Sequence, residues 1–210
     1  MTALRFTLLS EGSSDRALIP ILLWALRQHS LRTFQAQWAD LRGLRQPLRG
    51  LTRRLDATLQ LYPCELLFVH RDADLAGLDA RVREIEVAVQ SLGGKPDPPL
   101  VCVIPVRALE AWFLFDEGAI RRAADNPRGS VQLDLPQASE IETIPRPKEV
   151  LLDLLRTASG LSTRRRRGMR WHKQIHRIAE LTADFSPLRQ LSAFQAFEDN
   201  LRDLLASHGW

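Results

Sequence analysis

Two short stretches of the chain bring carboxylates to the ends of apolar runs: Leu8-Leu9-Ser10-Glu11-Gly12, and Leu66-Leu67-Phe68-Val69-His70-Arg71-Asp72-Ala73-Asp74. If the second run continues as a strand, Asp72 and Asp74 point the same way with Cα atoms about 6.5 Å apart. Carboxylates that close raise each other's pKa unless a cation relieves the repulsion. Mg²⁺ is hard, prefers carboxylate oxygen and keeps several waters, so two or three acids suffice to hold it. Asp-x-Asp also suits a solvated turn, and the pair alone favours that reading. Glu11 shifts the balance, because it adds a third acid at a separate strand end. A glutamate there could also serve the dipole of the following helix, but Asp15 already stands in that position. Glu11, Asp72 and Asp74 are therefore the candidate metal ligands, and all three are candidate catalytic residues. Glu110 is a fourth acid. It suits either a second ion, since two-metal sites hold ions about 4 Å apart, or the first turn of a helix.

Cationic residues supply the complementary chemistry. Arg71 lies between the acids and suits either a phosphate contact or a structural ion pair. Arg164, Arg165, Arg166, Arg167, Arg170, Lys173 and Arg177 form a run without an acid, with Trp171 interleaved. Guanidinium groups suit phosphate and an indole stacks on bases, although a run of like charge also forms a solvated loop. Neutralising about five phosphates on duplex would give a log–log salt slope near −4.5. His172 and His176 are one helical turn apart, but no third ligand accompanies them, which favours a packing or solvated role. His70-Arg71-Asp72 has no phosphate-covering glycine loop to make it kinase-like.

The elements that must position these residues alternate. Leu4 to Leu9 predicts a strand, followed by a helix from Ser13 or Ser14 to about Gln28, with Pro20 kinking it or delaying its start. Thr33 to Trp38 alternates with period two, as an edge strand does. Leu48, Leu51, Leu55 and Leu59 recur at helical spacing after Pro47. Cys64 to Val69 predicts a strand, Leu78 to Leu92 a helix ended by Gly93-Gly94, and Val101 to Ile104 a strand followed by a helix carrying Glu110, Trp112 and Phe113. Trp112 and Phe113 fit a core better than a stacking platform. The order predicts an α/β fold: a Rossmann-like, mostly parallel four-stranded sheet with helices on both faces, over residues 1–120. Asn126 to Pro147, with four prolines, reads as a long surface loop. Helical stretches at Lys148–Thr157, Met169–Ala183 and Ser192–Ser207 make residues 121–210 a C-terminal helical extension on the sheet domain. In open sheets of this class the ligand sits at the carboxyl ends of the strands, where the acids are.

With 210 residues, 45% hydrophobic and 26% charged, the composition is that of an ordinary globular chain. No apolar run approaches a membrane span, and Arg5 and Glu11 interrupt the only early one, so neither a signal peptide nor a membrane role is expected and a cytoplasmic location is. Cys64 and Cys102 border strand-like runs and read as buried free thiols. The net charge is +4. Its distribution says more than its sum: from Arg27 to Arg54 there are seven arginines against Asp40 alone.

Glu11-Gly12 after the first strand and Asp72-Ala73-Asp74 after a later one resemble the Toprim domain of topoisomerases, primases and overcoming-lysogenization-defect nucleases. The segment Ile104-Pro105-Val106-Arg107-Ala108-Leu109-Glu110-Ala111-Trp112 is similar to small bacterial stand-alone Toprim-like proteins, as are Trp171-His172-Lys173 and Ser192-Ala193-Phe194. The resemblance implies that Glu11 moves a proton or ligates, and that Asp72 and Asp74 hold Mg²⁺ (or Mn²⁺) during phosphodiester cleavage. The single tyrosine, Tyr62, precedes the second acidic strand end, which argues against topoisomerase chemistry. The expectation is a Mg²⁺-dependent nuclease or related phosphoryl-transfer enzyme acting on DNA or RNA, with a protein partner or homo-oligomer compatible. Two alternatives stand beside it. One is a non-catalytic nucleic-acid-binding or assembly subunit of a bacterial phage-defence or mobile-element system; the other is an enzyme of mononucleotides.

Overall fold

The computed structural model of the chain describes residues 3–44, 46–94, 97–162, 164 and 171–210. Four strands, β1 (Leu4–Leu9), β2 (Phe34–Trp38), β3 (Leu66–His70) and β4 (Leu100–Val103), form one sheet in the order β2-β1-β3-β4. Every pairing is parallel. β1 and β3 are the central pair and are buried along almost their whole length, as strands covered on both faces must be. β2 is the half-exposed edge that its alternation predicts.

Side-chain alternation divides the core in two. Phe6, Leu8, Leu66 and Phe68 point to the face covered by α1 (Leu18–His29). Leu9, Leu67 and Val69 point to the opposite face, covered by α2 (Leu51–Leu61) and α3 (Leu78–Gln90). α1 leads from β1 to β2, whereas α2 carries the chain back past β1 to β3. The connections therefore diverge between β1 and β3, and in such folds that divergence opens a crevice at the strand ends.

The helix after Glu11 starts late. A 3-10 turn at Ser13–Ala17 precedes α1, so Pro20 falls in the first turn of the α-helix, where its missing N–H costs little. The second helix also starts later than its leucine spacing predicts. Gly50, at φ +82°, leads into Leu51, and Pro47 and Leu48 stay in the preceding loop.

Beyond α4 (Glu117–Ala123), the segment expected to be a loop contains α5 (Ala138–Ile141) and buries Leu133 and Ile141. Apolar residues spaced among the prolines anchor it. α6 (Pro147–Ala158), α7 (Trp171–Leu181) and α8 (Ser192–Ser207) follow. These helices share a core with the α1 face of the sheet: Phe197 lies 6.2 Å from Phe68 and 6.1 Å from Trp112, and Phe194 lies 5.2 Å from Trp112. Trp112 and Phe113 are fully buried, as expected. Among the described residues no helix is long and apolar enough to cross a membrane.

Candidate active site at the carboxyl ends of β1 and β3

The carboxyl end of β3 is tied to the end of β4 by backbone bonds. Arg71 N–H donates to the Val103 carbonyl at 3.2 Å, Ala73 N–H to Pro105 at 3.1 Å, and Asp74 N–H to Arg107 at 2.8 Å. This stitching ends the extended geometry. β3 stops at His70 and Asp74 adopts φ +49°, in the left-handed region. The period-two expectation that Asp72 and Asp74 point together therefore fails, because the strand does not reach them.

Their carboxylates have different partners. Asp72 Oδ1 accepts the N–H of Leu109 at 2.8 Å, the first residue of a 3-10 turn, Leu109–Phe113. The helix expected to carry Glu110 is this short turn, and Glu110 sits in its first positions, buried, with Lys148 Nζ 3.9 Å from Oε1. Asp74 faces outward and pairs with Arg81 of α3 at 3.0 Å. Arg81 also donates to the Asp72 carbonyl at 2.9 Å and pairs with Glu84 at 2.9 Å.

Glu11 belongs to the same outer network. Its carboxylate, with 46% of the side chain exposed, accepts from Arg71, whose other terminal nitrogen pairs with Glu84 at 3.0 Å. Arg71 is therefore the bridge between the two acidic strand ends, and its Nε is buried with no hydrogen-bond partner. Arg54 of α2 reaches the same corner and donates to the carbonyls of Ser10 and of Glu11, the latter at 3.2 Å.

Inside this ring lies a second group that includes residues absent from the expected site. Asp15 is buried, accepting Gly12 N–H at 2.8 Å and the Ser14 hydroxyl at 3.0 Å. His70 is buried, with Nδ1 3.0 Å from the Val103 carbonyl, and its Nε2 lies 3.5 Å from Asp72 Oδ1 and 4.0 Å from Asp15 Oδ2. The Val103 carbonyl can only accept, so Nδ1–H donates to it, and burial pulls the imidazole pKa down against the raising effect of Asp15. Burial pushes the Asp72 carboxyl up to about 7, helped by the charges of Glu110, Asp15 and Asp74 and opposed by the Leu109 bond. Asp15 stands in the sequence as Glu-Gly-Ser-Ser-Asp, but its first-turn position suggests only a partner for the helix dipole. His70 ended a strand, and nothing in its neighbours signalled that the sheet would turn it inward.

No protein-family model, curated protein or solved structure matches this chain.

Among the described residues no group of three or more His, Cys, Asp and Glu is gathered closely enough to hold a metal ion. The joint grip of Glu11, Asp72 and Asp74 is not assembled, because Arg71 and Arg81 hold two of the three. The donor chemistry at Asp72 nevertheless fits a hard cation, since its carboxylate oxygens are hard donors and its negative charge is opposed by burial and by other acids. Of the basic residues expected to meet nucleic acid, Arg164 and Lys173 are exposed, whereas Arg165, Arg166, Arg167 and Arg170 lie outside the described residues. Cys64 and Cys102 are free and half-buried, and burial pushes the Cys102 thiol up to about 12, which leaves it unreactive.

Proposed function

We propose that this chain is a Mg²⁺- or Mn²⁺-dependent phosphoryl-transfer enzyme that cleaves nucleic acid, with its site at the carboxyl ends of β1 and β3. One observation carries the reading: Asp72 sits at the crevice between the central strands with its carboxyl pushed up to about 7, where a cation would relieve it. Carboxyl groups with strongly perturbed pKa values cluster at functional sites, where burial and like charges are brought together. Asp72 would hold the ion, with Glu110, Asp15 and Asp74 as the further carboxylates whose charges act on it. A bound divalent cation supplies positive charge against the phosphoryl oxygens as the bond to the leaving oxygen breaks.

The remaining roles belong to the chain itself. Glu11 is an exposed carboxylate of the site and the group that accepts a proton from attacking water. It becomes free to do so when a substrate phosphate takes over Arg71, a guanidinium suited to bidentate phosphate contact. Arg81 holds Asp74 and the Asp72 backbone, and so orients the loop that carries both aspartates. The test is cleavage of supercoiled, linear and single-stranded substrates with Mg²⁺ or Mn²⁺, beside Glu11→Gln and Asp72→Asn. Cleavage by the wild type and its loss in both variants is the expected result; activity that survives both substitutions unchanged overturns the assignment.

A second reading is a nucleic-acid-binding or assembly subunit of a bacterial defence or mobile-element system. It is favoured by the internal neutralisation of Glu11 and Asp74, both already paired with arginines. Such a subunit would bind nucleic acid equally well in chelator and cleave nothing.

A further inference from the structure

Beside Glu11, at the carboxyl ends of β1 and β2, lies a cavity of about 370 Å³ lined by Glu11, Trp38, Arg42, Pro47, Leu48 and Arg54. Its size falls at the lower end of the range of small-ligand pockets. Trp38 is the last residue of β2, and its indole N–H donates to Ser10 Oγ at 3.0 Å, which fixes the ring against β1. The Arg42 guanidinium lies 5.0 Å from the Trp38 ring centroid, and Asp40 holds it there through two bonds of 2.8 and 2.7 Å. The result is a preorganised wall in which the guanidinium lies over the indole, with Pro47 and Leu48 adding apolar surface. Arg54 contributes a different property. Its side chain donates to the backbone carbonyls of Ser10 and Glu11, and the charge of Asp15 acts on it without a hydrogen bond. A half-buried cation held by backbone carbonyls therefore lines the cavity beside the acidic strand end.

We propose that this cavity is a nucleotide subsite that takes one unstacked base of a single-stranded nucleic acid against the Trp38–Arg42 wall, with the adjoining phosphate on Arg54. The inference rests on the reading of the neighbouring acids as a nucleic-acid site, and it names the substrate class. Base stacking on an aromatic ring tolerates any sequence, because every base has a π-face. Bases in a duplex are already stacked and paired, so entering the slot would require flipping one out at a cost. The subsite thus selects single strands, and it places the next phosphodiester beside Glu11.

The experiment is fluorescence anisotropy of labelled oligothymidylate and oligouridylate, free and hybridised to their complements, in chelator. The wild type binds the single strands more tightly than the duplexes. Arg42→Ala and Trp38→Leu each weaken single-strand binding about 5-fold or more and leave duplex binding nearly unchanged, and Trp38→Phe restores part of the loss. If Trp38→Leu does not fold, the exposed Arg42→Ala decides alone. Equal affinity for single strand and duplex, or wild-type affinity in Arg42→Ala, overturns the subsite. Preference between the deoxy and ribo strands separates DNA from RNA, and either supports it. Because chelator removes turnover, the two proposals fail separately. Cleavage with binding unmoved by these variants sinks the slot alone, and slot-dependent binding without cleavage sinks the nuclease alone.

Discussion

Two sets of acids occupy the same end of the sheet under opposite conditions. On the rim, Glu11 and Asp74 are 46% and 60% exposed and each meets an arginine, with Glu84 completing the chain of charges. In the interior, Asp15, Glu110 and the largely buried Asp72 surround a buried histidine, with Lys148 3.9 Å from Glu110 and the charge of Arg54 acting on Asp15. A rim carboxylate is stabilised by water and by a guanidinium, and such exposed pairs contribute little to stability. Asp72 has lost most of its water and gained like charges, so its ionised form is held at a cost. The difference separates roles. The rim can exchange partners cheaply, whereas Asp72 has an unmet demand for positive charge.

The largest effect expected from that division is on catalysis. Glu11→Gln and Asp72→Asn each lower the single-turnover cleavage rate by about 10²–10⁴-fold, the usual range for a proton-transfer group, while Arg81→Gln lowers it about tenfold at most. Equal losses in all three would erase the distinction between acids that act and an arginine that positions.

Next comes the dependence of stability on pH. The Asp72 carboxyl is raised from 3.8 to about 7. Between these values the folded state binds more protons than the unfolded one, so this group's contribution is present at low pH and is lost as pH rises through about 7. His70 works the other way: its pKa is lowered from 6.5, so its contribution is lost as pH falls below that value. The two oppose each other in the wild type. Asp72→Asn should therefore stabilise the protein by about 2–4 kcal/mol above neutral pH and leave a stability that rises towards pH 6.5, as His70 alone dictates. Denaturant unfolding across this range measures it, and a profile unchanged by the substitution would show that Asp72 is not under the interior's electrostatic load.

The metal should remove the same load. At a concentration a hundred times its Kd, Mg²⁺ would add about 2.7 kcal/mol of stability. Its apparent affinity should fall by up to about tenfold per pH unit below 7, because binding displaces a proton from Asp72. Calorimetric titration showing pH-independent binding would move the ion away from Asp72. The smallest effect belongs to the rim. Arg81→Gln should cost less than about 1 kcal/mol in unfolding free energy, since Asp74 is mostly exposed.

Much of the frame was legible in the linear chain. The alternation of short β-rich runs with apolar residues at helical spacing foretold all four strands and their cover on both faces. Of the two effects expected of Pro20, a kink or a delayed start, the delay is the one found, and the Gly93-Gly94 pair, at φ +106° and +100°, follows α3 as anticipated. Asp72-x-Asp74 was misleading in one respect, because a period-two argument holds only while the strand lasts. The bond from Asp74 N–H to Arg107 is a contact 33 residues away in sequence, and no local pattern encodes it.

The chain by itself determined that acids would stand at the ends of buried parallel strands, because apolar runs must be buried and charges must stop them. It also determined that arginines would dominate the cationic partners, by composition alone. Which acid would be neutralised and which left wanting was decided only in three dimensions. Burial and the approach of Glu110, Asp15 and His70 to Asp72 come from three separate connections converging on one crevice. Charge balance at a site depends on distances across the fold, and sequence order does not carry them.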